Sequence, residues 1–286
     1  VIVDHSGSPY TRLAHIYAAL RLKKVRFLLY LHSNAYYSAD KGIKEWVYAR
    51  LLRSAARHSA KIVAISHSVA ESYLRRYHLP KDKMQVVYNG TDLHRFIPHP
   101  AHTDTPLRLI YVGRIIRDKG IDLLLEALAA CPTDTPITLT LVGSDHGGYT
   151  EQMQALAARL HLEDKVQFLG SRTDVPQLLQ AADLFVHPAT CQEGFGITLI
   201  EAMASGVPCL AFPKGAIPEI IGPEIDGFLT EEVSAAALTA GINRALELFT
   251  KAPHHWHTLC KNARQKAELF SIERTVAQLE TLYREQ

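Results

Sequence analysis

Several things are missing from this chain of 286 residues, and each absence removes a class of protein. No apolar run approaches the roughly 20 residues that a membrane-spanning helix requires. Only four cysteines occur, Cys131, Cys191, Cys209 and Cys260, and no two form a CxxC pair. Their scatter argues against a zinc site or a disulfide framework and fits a reducing compartment. No GxGxxG follows a strand-like run, so the dinucleotide-binding fingerprint is absent. Neither a Walker sequence nor GxSxG nor HExxH appears, which removes the P-loop, the nucleophile elbow and the zinc-binding helix. The opening residues, VIVDHSGSPY, have no basic stretch leading into an apolar one and lack the pattern of a secretory signal. Internal repeats and low-complexity tracts are absent.

What remains is an ordinary globular balance, 47% hydrophobic and 21% charged, long enough for a large domain or two ordinary ones. The net charge of +2 hides an asymmetry. Residues 1–95 hold 16 Lys and Arg against 6 Asp and Glu, a net of +10, while residues 96–286 hold 15 against 23, a net of −8. A basic half suits either an anionic surface or a well-solvated face. The HHWH tract at His254–His257 has no companion cluster and is expected to be a solvated loop or helix start rather than a metal site.

Short, β-branched apolar runs predict strands at Val1–Val3, Val25–Leu31, Lys61–Ile65, Met84–Tyr88, Leu107–Val112, Ile137–Val142, Lys165–Leu169, Leu184–His187 and Val207–Phe212. They are continuous rather than alternating, as strands buried on both faces should be. Helix-length segments lie between them: Tyr10–Leu22, Lys41–His58, Gly120–Ala130, Thr150–Leu160 and Val175–Ala182, with long helical patterns from about Ala235 to Tyr283. Strand alternating with helix implies parallel sheets. The stretch Asn89–Pro106, rich in Pro, His, Thr and Asp, reads as a boundary between two α/β units with a cleft between them.

Two motifs carry chemistry. In GRIIRDKG, from Gly113, a glycine, arginines and a lysine fall between a strand and a helix. In EGFGITLIEAMASGVP, from Glu193, a helix over Ile197–Ser205 starts after Gly194 and Gly196 and stops at Gly206. Glu193 lies before that helix and Glu201 one turn inside it, both able to face the same cleft. Carboxylates there suit hydroxyl groups. Helix-start amides suit an anion, and glycines let the backbone approach a ligand closely. In FLLYLHSNAYYSAD, His32 ends a strand, and His5 ends another with less to recommend it. The spacing of Ser68 and Glu71 predicts a helix N-cap at Ser68, with Glu71 completing a capping box.

Together these stretches resemble the retaining glycosyltransferases of family 4. YVGRIIRDKGIDLLLEAL, VQFLGSRTDVPQLLQAADLFVHPATCQEGFGITLIEAMASGVPCLAF and AIPEIIGPEIDGFL are similar to the family's donor-domain blocks, in its order. The Glu-x7-Glu element at Glu193 and Glu201 is the most specific of them. The resemblance implies a GT-B fold: two Rossmann-like parallel-sheet domains facing across a cleft, the first incomplete. It divides the chain into a partial acceptor-side domain (1–95), a nucleotide-sugar donor domain (96–270) and a C-terminal helix (271–286) crossing back to the first. Gly113, Arg114 and Lys119 would bind the donor diphosphate, with the Ile197, Thr198 and Leu199 amides adding donors. Glu201 would accept from the ribose, and Glu193 with Gly194, Phe195 and Gly196 would hold the transferred sugar. Gly170, Ser171 and Arg172 would meet the base, and His32 would lie near the sugar. His32, Glu193, Arg114 and Lys119 are the candidate catalytic residues. The family usually works without a metal, and no DxD sequence suggests one here; no cofactor is expected. The expected partners are a UDP- or GDP-sugar, a glycan or lipid-linked acceptor, and an anionic membrane surface met through the basic half, but no nucleic acid. The expected location is cytoplasmic, peripheral on the inner membrane face.

Relative to the family, Val1 falls in what looks like the middle of the first domain, without the glycine-rich loop that approaches donor and acceptor. The chain is therefore expected to be N-terminally shortened. Two functions follow: a retaining glycosyltransferase of cell-surface polysaccharide or glycolipid synthesis, or a truncated nucleotide-sugar-binding module inactive on its own.

Overall fold

The computed structural model describes residues 2–5, 16–18, 26–35, 42–98, 105–132, 134–145 and 147–284. They form two compact units. The first holds the described residues as far as Asn89, with Glu193–Phe195 and the described residues from Glu273 onward. The second holds the described residues of Gly90–Gln192 and Gly196–Ile272.

The first unit carries a parallel sheet in the order β1 (Ile2–Asp4), β2 (Phe27–Leu31), β3 (Lys61–Ala64), β4 (Met84–Val86). The continuous FLLYL run of β2 is buried throughout, the signature of a strand covered on both faces. Helix α1 (Ile43–His58) precedes β3, and α2 (His67–Tyr77) joins β3 to β4. The inward face of α1 is Ala49, Leu52, Ala55 and Ala56, spaced at one turn. The apolar Trp46, Val47, Leu51 and Leu52 interleave with the basic residues of this helix. Leu52 is buried, but Trp46 and Val47 are exposed, as is Ile43, because they lie on the flank and back of that small-residue face. The Arg50 guanidinium covers the Trp46 ring at 4.9 Å. Lys83 donates to the carbonyls of Arg57 and Ser59 (2.6 and 2.9 Å), satisfying the end of α1.

The start of α2 differs from expectation. Its cap is Ser66, whose hydroxyl accepts from the Val69 amide at 3.1 Å. Ser68 is already helical, and Glu71 pairs with Arg75 one turn on. An N-cap residue must be extended, and β3 delivers Ser66, not Ser68, in that conformation (φ −162°).

The second unit has a six-stranded parallel sheet in the order β10 (Gly227–Leu229), β9 (Cys209–Ala211), β8 (Leu184–His187), β5 (Leu107–Val112), β6 (Ile137–Val142), β7 (Val166–Gly170). Its helices are α3 (Ile121–Ala129), α4 (Tyr149–Arg159), α5 (Val175–Gln180), α6 (Ile197–Ala204), α7 (Ile217–Ile220), α8 (Ala235–Lys251) and α9 (Pro253–Ala267); α10 (Ile272–Arg284) follows and belongs to the first unit from Glu273 on. One continuous core runs from Leu107 and Tyr111 on β5 to Trp256 and Leu259 on α9. Trp256 is buried against Phe249, while His254, His255 and His257 are exposed on the first turn of α9. The expected strands are present within about two residues at each end. The expected helix over Tyr10–Leu22 lies mostly outside the described residues; residues 16–18 are helical. Strand β10 was not foreseen. It is three residues long and opens on Gly227, where a Cβ would stand 2.5 Å from the Cys209 carbonyl oxygen.

The strand order places a topological switch. From β5 the chain proceeds outward to β6 and β7, then returns to the opposite side of β5 as β8. The connections leaving β5 and β8 therefore diverge, and ligands of open α/β sheets bind at such a point, beyond the carboxyl ends of the strands.

Candidate functional site

Both sequence motifs lie at that switch. The connection after β5 begins at Gly113, whose amide bonds the Val142 carbonyl at 2.9 Å. The Tyr111 hydroxyl donates to the Arg114 carbonyl at 2.7 Å and occupies the space where a Gly113 side chain would begin. Ile115 is buried and bonded to the Ser144 carbonyl, so Arg114 next to it faces outward and is exposed. A single 3-10 turn, Arg117–Lys119, leads to Gly120 at φ +65°. A Cβ on Gly120 would stand 2.1 Å from the Pro188 carbonyl oxygen, so this corner presses directly on the connection that leaves β8. Three donors of that connection converge on the Asp118 carbonyl: the Thr190 amide (3.0 Å), the Cys191 amide (3.4 Å) and the Thr190 hydroxyl (3.3 Å). GRIIRDKG and the segment entering EGFGITLIEAM are thus bonded to each other.

Helix α6 follows from Gly196, at φ +95°. The Leu199 amide already donates to the Gly196 carbonyl at 3.0 Å, so the donors that the first turn directs outward are those of Ile197 and Thr198. Glu201 is half-buried one turn in. Burial pushes its carboxyl pKa up, and the charge of Arg95 partly offsets this. At the other end of α6, Arg264 donates to the carbonyls of Ala204 (2.5 Å) and Phe96 (2.9 Å), a cation at the negative end of the helix. Nothing in the sequence flagged Arg264, because its partners are 60 and 168 residues away. Gly170 ends β7, beyond β6, and Ser171 and Arg172 follow it. The Arg172 guanidinium grips Asp174 with two bonds of 2.8 and 2.7 Å.

The remaining candidates lie in the first unit. Asn34 donates to the Glu193 carbonyl at 3.1 Å and accepts from the Ser68 hydroxyl at 3.1 Å. The Ser66 hydroxyl, while capping α2, donates to the Gly194 carbonyl at 2.7 Å. A Cβ on Gly194 would stand 3.3 Å from the His32 carbonyl oxygen. Phe195 is buried, its ring 5.9 Å from that of Tyr88. Two side chains thus hold consecutive carbonyls of the Glu193–Phe195 segment beside His32. Sequence reading passed over Ser66 and gave Asn34 no role; pairings across 128 and 159 residues leave no local signal. His32 itself contacts His5 at 2.8 Å. Among the described residues, no three His, Cys, Asp or Glu side chains gather as a metal site, and no helix is long and apolar enough to cross a membrane.

Two parallel-sheet α/β domains, one with basic and glycine-rich connections at its switch point, define a GT-B architecture. Residues 95–266 match the family model described as glycosyl transferases group 1, and residues 1–95 match that of glycosyltransferase family 4. The chain belongs to this family of glycosyltransferases. It is 27% identical, over 98% of its length, to N-acetyl-alpha-D-glucosaminyl L-malate synthase of Bacillus anthracis, of which it covers 73%. It is 30% identical, over 79% of its length, to D-inositol 3-phosphate glycosyltransferase of Salinispora tropica, of which it covers 51%. The chain thus spans between about half and three quarters of the length of these relatives. The crystal structure of Anabaena Alr3699/HepE in complex with UDP matches with a TM-score of 0.84 at 25% identity, over 96% of this chain and 77% of that one.

Proposed function

We propose that the chain transfers a sugar from a nucleotide diphosphate sugar, a UDP- or GDP-sugar, to a glycan or lipid-linked acceptor with retention of configuration, in the synthesis of a cell-surface polysaccharide or glycolipid. The observation that carries this reading is the bonding of the Arg114–Lys119 corner to the connection that enters α6, at the switch point of the six-stranded sheet. The UDP complex of Alr3699/HepE supports a nucleotide donor.

In this reading the second unit holds the leaving group. Cleaving the donor bond builds negative charge on the β-phosphate. The Arg114 fork, the Lys119 ammonium and the outward Ile197 and Thr198 amides meet that charge already in place. Glu201 sits in a drier environment than a free carboxylate and gains most from donors such as the two ribose hydroxyls. In the first unit, His32 and the Glu193–Phe195 segment supply neutral imidazole, carboxylate and backbone groups suited to the hydroxyls of the transferred sugar. No metal or cofactor is part of the proposal. The exposed Ile43, Trp46 and Val47 of α1, beside Lys44, Arg50, Arg53 and Arg57, favour contact with an anionic membrane surface on the cytoplasmic side.

Calorimetric titration with UDP, GDP and ADP tests the site. One nucleotide should bind, and Arg114→Ala and Glu201→Ala should each weaken it about tenfold or more. Incubation with the matching nucleotide-sugars and measurement of released nucleotide then tests transfer. Binding without release in the presence of acceptors would favour a donor-binding module. Binding unaffected by either substitution would overturn the site.

A further inference from the structure

We infer that His5 is a positioning residue that sets the proton arrangement of His32, so that the role His32 Nδ1 offers a ligand hydroxyl is coupled to the proton shared between the two imidazoles. This rests on the reading of His32 as a group that meets the transferred sugar.

The strands make the pair. Tyr30 and His32 are two apart on and just beyond β2, so their side chains share a face. β1 is the parallel neighbour, with Asp4 opposite Leu29, which brings His5 alongside Tyr30. His5 Nδ1 lies 2.8 Å from His32 Nε2. The two ring centroids are 5.1 Å apart at an interplanar angle of 29°. That separation is close to the N···N distance plus one ring radius at each end, so the contact lies along the line joining the rings, at the edge of each, with the two planes twisted by 29°. The buried Tyr30 ring packs against both, at 4.9 Å from His5 and 4.6 Å from His32. Two nitrogens on one tetrahedral zinc ion would be about 3.3 Å apart; the shorter observed distance fits a single shared proton.

One proton between two nitrogens has a strict consequence. If His5 donates from Nδ1, His32 accepts at Nε2 and must carry its own proton on Nδ1. If His32 donates from Nε2, His5 must carry its proton on Nε2. The neutral pair therefore has both rings in the Nδ1–H form or both in the Nε2–H form, never one of each. In either case the two far atoms, His32 Nδ1 and His5 Nε2, are one N–H donor and one bare acceptor at opposite ends of the pair, so a hydroxyl that meets His32 Nδ1 finds a role, donor or acceptor, fixed by which ring gives the shared proton. Burial and the neighbouring His5 lower the pKa of His32, which keeps that ring neutral near pH 7. The other titratable groups around it are Tyr30, whose pKa is raised by burial and then by Tyr283 from α10, Asp4 at the end of β1, and Glu193, next to the Gly194 that packs on the His32 backbone.

The test is a long-range proton–nitrogen spectrum of the chain with 15N-labelled histidine at pH 8. His5 and His32 should report the same tautomer, and His5→Ala should shift the ring nitrogens of His32 toward the tautomer mixture of an unconstrained histidine. Opposite tautomers in the two rings, or a His32 spectrum indifferent to His5→Ala, would overturn the pair. In nucleotide release from a UDP-sugar, His5→Ala should lower kcat about tenfold, and His5→Asn, which still offers a side-chain donor, should recover part of it. Unchanged release would overturn the positioning role. Matched tautomers in a chain that releases nucleotide from no donor sugar would leave the pair standing and defeat the transfer reading.

Discussion

The two units hold their candidate groups by different means. In the second, the corner is made of backbone: Gly120 lies against the Pro188 carbonyl, Gly143 against the Gly113 carbonyl, and three donors meet the Asp118 carbonyl. In the first, the Glu193–Phe195 segment is held by side chains: Ser66, Asn34 and, behind Asn34, Ser68. Backbone contacts fix a shape that no exchange of one side chain alters. Side-chain contacts can be exchanged one at a time. By this comparison the corner of the second unit is the rigid part and the Glu193–Phe195 segment of the first the adjustable part.

The largest effect that would sharpen this contrast comes from adding one methyl group to a glycine in each unit. At Gly120 the chain has φ +65° and the new Cβ would meet a backbone oxygen at 2.1 Å, with nothing flexible to yield. Gly120→Ala should cost about 3 kcal/mol or more, from backbone strain and overlap together. At Gly194 the nearest atoms stand at 3.3 and 3.4 Å, so Gly194→Ala should cost about 1 kcal/mol or less. Urea unfolding of both variants measures the difference. Equal losses would mean that the two segments are held alike.

These contrasts also mark what the sequence could convey. Gly113, Arg114, Lys119 and the Glu193–Glu201 element were legible because each is a local pattern at a strand-to-helix corner, and continuous apolar runs gave away the buried parallel strands. The switch point was not legible, since strand order depends on which neighbours pair and no residue spells that out. The cap was misread because SHSVAES offers two serines and the Ser68–Glu71 spacing is the better local pattern; the exit direction of β3 decided for Ser66. Which apolar residues of α1 turn inward is not legible from hydrophobicity alone, because the small face of Ala49, Ala55 and Ala56 decides it.

A side-chain clamp should fail by smaller steps. Ser66→Ala removes both the cap of α2 and the donor to the Gly194 carbonyl. It should cost about 1–2 kcal/mol and raise the KM for the donor sugar. Asn34→Ala should cost about 1 kcal/mol. Additivity of the two in the double variant would break the picture of one shared clamp; a double loss smaller than the sum would support it.

Glu201 gives a smaller effect with a definite sign. Its folded pKa lies above the 4.5 usual for a free glutamate because burial penalises the charged form. The folded state therefore binds the proton more tightly than the unfolded one, and stability falls as pH rises from about 4.5 through the folded pKa. Glutamine has no such proton. Glu201→Gln should gain on the native chain as pH rises through that window, while weakening nucleotide binding. A stability difference that stays flat from pH 4 to 7 would show that the carboxyl is not shifted.

The smallest effect concerns the outer face of α1. Ile43 and Trp46 are 82% and 60% exposed, so Ile43→Ser and Trp46→Ser should each change stability by no more than about 0.5 kcal/mol. If they serve only the fold, nothing else should change. If the first unit is the adjustable part, its surface is free to meet the acceptor's surroundings, and the same substitutions should weaken cosedimentation with vesicles containing phosphatidylserine. Arg50→Ser should weaken it further, because it removes a positive charge and uncovers the Trp46 ring. Vesicle binding that survives all three would assign the basic surplus of residues 1–95 to solvation alone.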